Sequence, residues 1–277
     1  MRIRLLILAT LVINFPASSQ LLKVMTYNIR YDNAGDGGNA WSNRKHHVIE
    51  LLNRSQPDIL GVQEALFNQL EDLVRNLDGY AYVGVGRDDG KRKGEYSAIL
   101  YRKDEFEVRD HNTFWLSETP DKPGSKSWDA AITRVATWAR LYSKMAQTEI
   151  VVINTHFDHI GKEARIRSAE LIRKKIPEIA GDLPVLLTGD LNFKRQEPPY
   201  QALMRTGGYP LIDAAPDDPP GTFCGFEVGK IECVPIDYIF YSSHWRLIDY
   251  NVLKVSNMRY YPSDHLPVLA NIRLSQR

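Results

Sequence analysis

Cysteine is scarce in this chain: two residues in 277, Cys224 and Cys233. That excludes a cysteine-rich metal scaffold, and no His lies between the pair to make a mixed site. The two flank a stretch containing Gly225 and Gly229. In an exported protein they would close a disulfide just ahead of Asp237; otherwise they stay two thiols. Long apolar runs are scarcer still. The longest stretch, from Leu5 to Phe15 and interrupted only by Thr10 and Asn14, is shorter than the ~20 residues that span a bilayer. No Pro/Gly/Ser linker, internal repeat or low-complexity tract divides the chain, so one domain is expected. An excess of basic charge is missing as well, with 35 Lys and Arg against 34 Asp and Glu. Proteins that grip long nucleic acid usually carry a basic footprint, because phosphate neutralisation dominates that affinity. The most basic stretch, Arg87 to Lys93, contains Asp88 and Asp89 and reads as a solvated loop.

The N-terminus has the pattern of a secretory signal peptide. Arg2 and Arg4 precede the apolar run, and Ala17-Ser18-Ser19 supplies small residues for cleavage. Residues 1–19 are therefore expected to be a leader and 20–277 the working domain, in a secreted or periplasmic protein with no stable membrane insertion after cleavage. No Cys follows the small residues, which argues against a lipoprotein. Losing Arg2 and Arg4 takes the basic count from 35 to 33 against 34 acidic residues, a formal charge of −1.

What is present is a series of apolar runs, each ending in polar groups. Leu21 to Met25 leads to Asn28, Asp58 to Val62 to Glu64, Ile150 to Ile153 to His156, and Pro184 to Leu187 to Asp190 and Asn192. Runs of this length suit interior strands, which places each polar tip at a sheet edge. Asp190 and Asn192, two apart, point to one face of an extended backbone. Helices are predicted from Ser42, as cap, to about Asn53, along Leu66 to Leu77, and from Lys162 to about Ile179. Further strands are predicted over 96–101, 133–142, 245–255 and 266–274. Helices interleaved with many strands imply packed sheets with helices outside.

With Ser263-Asp264-His265 and Ile236-Asp237-Tyr238 added, the ordered set resembles the endonuclease/exonuclease/phosphatase superfamily, in its deoxyribonuclease I-like form, from about Leu21 to Leu274. The resemblance implies a four-layer α/β sandwich, two packed mixed β-sheets flanked by helices. It also implies a Mg²⁺-dependent phosphoesterase, with Mn²⁺ or Ca²⁺ as alternatives.

Residue roles follow from side-chain chemistry and the resemblance together. Glu64, a hard oxygen donor, is the first metal ligand, since Mg²⁺ typically takes only one or two protein carboxylates; taken alone it would as readily be a helix N-terminal Glu. The resemblance places Asn28 beside Glu64 and Asp264 close to the metal. Asp190 suits the alignment or deprotonation of water, and Asn192 the stabilisation of phosphoryl charge. The resemblance implies that Asp237 holds His265, which contacts or protonates the scissile phosphate. His156 stands where abasic-site endonucleases have Tyr, and Glu95, in Glu95-Tyr96-Ser97 to Arg102, matches the deoxyribonuclease Glu that pairs with that His. Arg134 is a candidate phosphate clamp, or else one half of a surface ion pair. Trp115 and Trp128 lie in a predicted loop, where they could stack on substrate or be buried.

The expected function is hydrolysis, by metal-assisted water attack, of a small, lipid-linked or sugar-linked phosphoester, in first place a diester. A secreted nuclease and a catalytically silent binding module are the alternatives. Extended nucleic acid is the less favoured partner, and a monomer is expected. His156-Phe157-Asp158-His159 also suggests a two-metal hydrolase, but the further motifs of β-lactamase-like and calcineurin-like enzymes are missing.

Overall fold

A computed structural model describes residues 21–205, 209–229 and 232–275. The predicted leader lies outside the described residues. In chain order the elements are Leu21–Asn28 (β1), Trp41–Ser55 (α1), Ile59–Ala65 (β2), Phe67–Asn76 (α2), Tyr80–Val83 (β3), Tyr96–Arg102 (β4), Phe106–Trp115 (β5) and Val135–Ser143 (β6). There follow Thr148–His156 (β7), Lys162–Ala180 (α3), Val185–Asp190 (β8), Pro198–Met204 (α4), Leu211–Asp213 (β9), Asp237–Ser242 (β10), Trp245–Val252 (β11) and Val268–Leu274 (β12).

The continuous apolar runs arise because both faces of the central strands are covered. In β7, Ile150 and Val152 face the core shared by the two sheets, whereas Val151 and Ile153 face the core under α3 and α4. In β1, Val24 joins the shared core, and Met25 and Tyr27 pack with α1 and α2. Helices, sheet, sheet and helices thus form four layers, the fold expected from the deoxyribonuclease I resemblance. The six-stranded sheets run β11-β12-β1-β2-β4-β3 and β5-β6-β7-β8-β10-β9. Each has one parallel pair, β1 with β2 and β7 with β8, embedded in antiparallel neighbours at the same place in the order. The sequence shows no repeat, yet the two sheets share one pairing pattern. Among the described residues, no helix is long and apolar enough to cross a membrane.

Several local expectations are corrected. Ser42 does not cap α1, which begins at Trp41 behind Ala40 with no side-chain cap. The start is fixed instead by tertiary burial, since Trp41 lies in the core and its indole donates to Asp72 Oδ2 of α2 at 2.9 Å. Phe114 and Trp115 belong to β5 rather than to a loop. The disulfide expected of an exported chain, by contrast, is present between Cys224 and Cys233.

The sheets are bolted together by polar groups at the end that carries the motif tips. Asn154 of β7 donates across the interface to the carbonyls of Val62 and Ala98, at 2.9 and 2.8 Å. Its Oδ1 accepts from Gln63 Nε2 at 2.6 Å and from Thr188 Oγ1 at 3.0 Å. Gly61 allows this approach, because a Cβ there would lie 2.2 Å from Thr188 Oγ1. Asn154→Ala would remove the side-chain donor from two buried carbonyls and one of the two acceptors of the Gln63 amide, which keeps Thr26 Oγ1 at 3.0 Å. With ~1–3 kcal/mol for each unsatisfied buried group, urea denaturation should register a loss of about 3 kcal/mol or more, whereas an effect below ~1 kcal/mol would show the bolt to be dispensable.

Candidate active site

Both parallel pairs end on the same edge of the sandwich. Asn28 closes β1, His156 closes β7 and Asp190 closes β8. Asp237 opens β10 in register with Asp190, while His156 is the register partner of Asp190 on the other side. Glu64 needs a further device. The register of β2 slips between Val62 and Ala65, and Glu64 adopts φ 63°. Such a bulge re-aims a side chain out of the pleat, and here the carboxylate turns toward Asn28.

Asn28 sits between the halves. Its Nδ2 approaches Glu64 Oε1 at 3.0 Å, Asp190 Oδ2 at 2.9 Å and His265 Nε2 at 3.4 Å. Its Oδ1 accepts from the Arg30 amide at 3.0 Å, which fixes the amide's orientation. Glu64 Oε2 accepts from the Tyr31 amide at 3.2 Å. Arg44, unremarked in the sequence, is buried beneath this loop and donates to the carbonyls of Ile29, Arg30 and Pro262 at 2.5, 2.6 and 3.1 Å. It thereby ties the Asn28 segment to the one carrying Asp264 and His265. Arg30 itself holds a left-handed φ of 56°, supported by these contacts and by its bidentate pairing with Asp36.

The expected Asp237–His265 pair is present, with Nδ1 and Oδ2 2.8 Å apart. Burial alone would lower the His265 pKa, but Asp237 and then Asp190 hold it well above the ordinary imidazole value. His156 goes the other way. Burial, reinforced by Arg134 and Arg87, keeps it well below that value. The site thus sets an imidazolium opposite a neutral imidazole.

Other assignments change. Glu95 does not bond His156; it accepts from Arg87 Nη1 at 2.6 Å and lies 4.0 Å from Arg134 Nη1. Glu95 and His156 line the same small cavity, but His156 Nδ1 has no partner among the described residues. The competing cation is Arg87, which the sequence reading left on a solvated loop. Asn192 holds φ 52° and directs Nδ2 to His156 Nε2 and the Phe157 carbonyl, both at 3.0 Å. Its amide donors are therefore spent on orienting His156 rather than left for phosphoryl oxygens. Trp115 is only 4% exposed and donates to the Arg87 carbonyl at 2.6 Å, so it shapes the Arg87 loop and offers no open face. Trp128 remains half-buried in its loop. Arg134 is buried, with Nη2 3.2 Å from His159 Nδ1, while its Nε and Nη1 have no hydrogen-bond partner among the described residues. Asp158 serves structure, accepting from the amides of Ala131, Ile132, Ile160 and Gly161.

The donor set fits a divalent cation. Atoms of Glu64, His156 and Asp190 lie within 4.8 Å of one another, as do those of Asp190, Asp237 and His265. Asp264 falls in neither group; its carboxylate accepts from Ser263 Oγ at 3.2 Å. Burial pushes Asp190 and Asp264 upward against the pull of His265, and Glu64 adds to both shifts. Carboxylates crowded to this degree suit a hard cation that takes oxygen ligands.

A fold of two six-stranded sheets with this constellation on one edge defines a phosphoester hydrolase of the deoxyribonuclease I-like kind. The chain belongs to the Endonuclease/Exonuclease/phosphatase family, whose model matches residues 25–265. It is therefore a hydrolase of phosphoesters, in a family that depends on divalent metal. A solved family member from Bacteroides thetaiotaomicron is 37% identical, with TM-score 0.87 over 94% of this chain and 100% of that one. A mannosyl-6-phosphatase from the same organism is 38% identical, with TM-score 0.83 over 91% and 99% of the two chains. Drosophila melanogaster Nocturnin is 26% identical over 84% of this chain, which spans 42% of that protein.

In metal-free protein, ¹⁵N imidazole spectra between pH 6 and 8 should show His265 doubly protonated and His156 neutral, with His156→Asn and His265→Asn supplying the assignments. A raised pKa keeps the proton as pH climbs through ~6.5 and a lowered one sheds it earlier. Two resonances titrating together near 6.5 would contradict this division.

Proposed function

We propose that this protein is an exported, Mg²⁺-dependent phosphoesterase acting on a small sugar-linked phosphoester, monoester ahead of diester. The observation that carries the reading is the likeness to the mannosyl-6-phosphatase, 38% identical over 91% of this chain and 99% of that one. The near-balance of charge supports a small substrate over a long polyanion. Export is supported by the leader pattern and by a disulfide, a bond that persists in oxidising compartments.

Glu64 would hold the metal, with Asp264 nearby. A bound divalent cation supplies Lewis-acid polarisation of a phosphoryl oxygen and a more acidic water. The chain's own groups do the rest. Asn28 fixes the Glu64 and Asp190 carboxylates relative to each other. Asp190, 3.3 Å from His156 Nε2 and 3.6 Å from His265 Nε2, is placed to align a water and accept its proton. His265, held charged by Asp237, stabilises negative charge developing on phosphoryl oxygens. Arg134, whose Nε and Nη1 have no hydrogen-bond partner among the described residues although Nη1 lies 4.0 Å from Glu95, would engage the phosphate.

A panel of sugar phosphates, nucleotides, phosphoinositides, sphingomyelin, RNA and plasmid DNA tests the substrate. Fastest turnover on a sugar phosphate is expected; efficient plasmid nicking would favour the secreted nuclease. Glu64→Gln should abolish turnover with the circular dichroism spectrum retained, and activity surviving exhaustive chelation would remove the metal mechanism. Asp237→Asn and His265→Ala should each lower kcat by about 10²–10⁴-fold. The double variant should lose little more than either single one, because each change disables the same unit; multiplied losses would separate the two residues.

A further inference from the structure

Phe223 is 38% exposed, although it stands beside the most charged part of the molecule. Its ring packs on the His265 imidazole at a centroid separation of 4.9 Å and an interplanar angle of 51°. The residue cannot withdraw. Its amide and carbonyl both bond Val234, at 2.9 and 2.8 Å, and it bridges to His265 on the other side. Neighbouring Cys224 is tied to Cys233 and donates from its amide to the Asp264 carbonyl at 2.9 Å. Gly221 completes the arrangement, because a Cβ there would lie 2.2 Å from the Cys233 carbonyl oxygen. Thr222, just before Phe223, accepts from the Asp237 amide at 3.2 Å. The loop that presents Phe223 is therefore built onto both members of the Asp237–His265 pair.

A phenyl ring has no polar atom with which to serve the phosphate. Held half-open against the histidine that meets the phosphoryl group, it lies next to whatever the ester oxygen is attached to. We propose that Phe223 is a specificity-determining residue, a platform on which the C–H face of the substrate's sugar ring packs beside His265. The disulfide between Cys224 and Cys233 holds that platform in place. This rests on the sugar-phosphate reading above, and a nucleobase is the other ring the platform could take.

The test uses the full-length, Mg²⁺-loaded enzyme with mannose 6-phosphate, a nucleoside 5′-monophosphate and ring-free glycerol 3-phosphate. Phe223→Ala should raise KM for the ring-bearing substrate by about tenfold, as loss of an aromatic contact does. The loss on glycerol 3-phosphate should be much smaller, with kcat on the ring substrate changed by less than about threefold. Phe223→Trp should restore the discrimination, and Phe223→Leu, which keeps an apolar contact with His265 but no flat face, should not. Equal losses on ring-bearing and ring-free substrates, or a fall confined to kcat with a shifted pH profile, would make Phe223 a mere support for His265 and overturn the proposal. No change in KM would overturn it too. If wild type prefers the nucleotide and the Phe223 series discriminates there, the sugar reading fails while the platform stands.

Discussion

The site exists only because two sheets are held in one register, and that register depends on a small polar contact inside an otherwise apolar interface. Asn154 reaches from β7 to the carbonyls of Val62 and Ala98, with Gln63 and Thr188 closing the network. Apolar packing between sheets is nearly indifferent to small slides, since it is non-directional. Hydrogen bonds to buried carbonyls are not, because a slide would leave them unmade at ~1–3 kcal/mol each. The network sits two residues behind His156 and one behind Glu64, so the precision it imposes is delivered where Asn28 must touch Glu64 and Asp190 together.

From that juxtaposition the electrostatics follow. Bringing Asp190, Asp237, Glu64 and Asp264 to one edge creates an excess of buried negative charge, which His265 answers from inside the cluster. His156 stands on the side of Arg87 and Arg134 and is left neutral. Identical side chains on opposite flanks of one carboxylate therefore have opposite roles. The difference comes from their neighbours rather than from their own exposure.

Much of this was legible in the sequence, because a strand covered on both faces reads as an apolar run and its tip at the site as the polar residue that ends it. Asn28, Glu64, His156 and Asp190 were found in this way, Asp237 and His265 through the family resemblance, and the six meet at one edge. The partner of Glu95 was not legible. Whether it meets His156 or Arg87 depends on how residues 84–95 fold back, and Arg87 as the nearer cation won. Nor was the burial of Trp115, whose indole found a carbonyl partner in that same loop. Helix α1 began early because tertiary burial of Trp41 outweighed the capping preference of Ser42. Asn154, Arg44 and Phe223 carried no local signal. Their importance lies in contacts across 56 to 218 residues of chain, or in a disulfide-closed loop, which no short motif encodes.

The shared pairing pattern of the two sheets has a kinetic consequence. Each sheet's parallel pair carries its own carboxylate and its own hydrogen-bonding tip, Glu64 with Asn28 and Asp190 with His156, so either half could form its strands and still hold an incomplete site. The contacts of Asn28 with Glu64 and Asp190 together exist only when the two halves are docked. Regain of activity after dilution from denaturant therefore requires both halves to be docked, whatever order their strands form in.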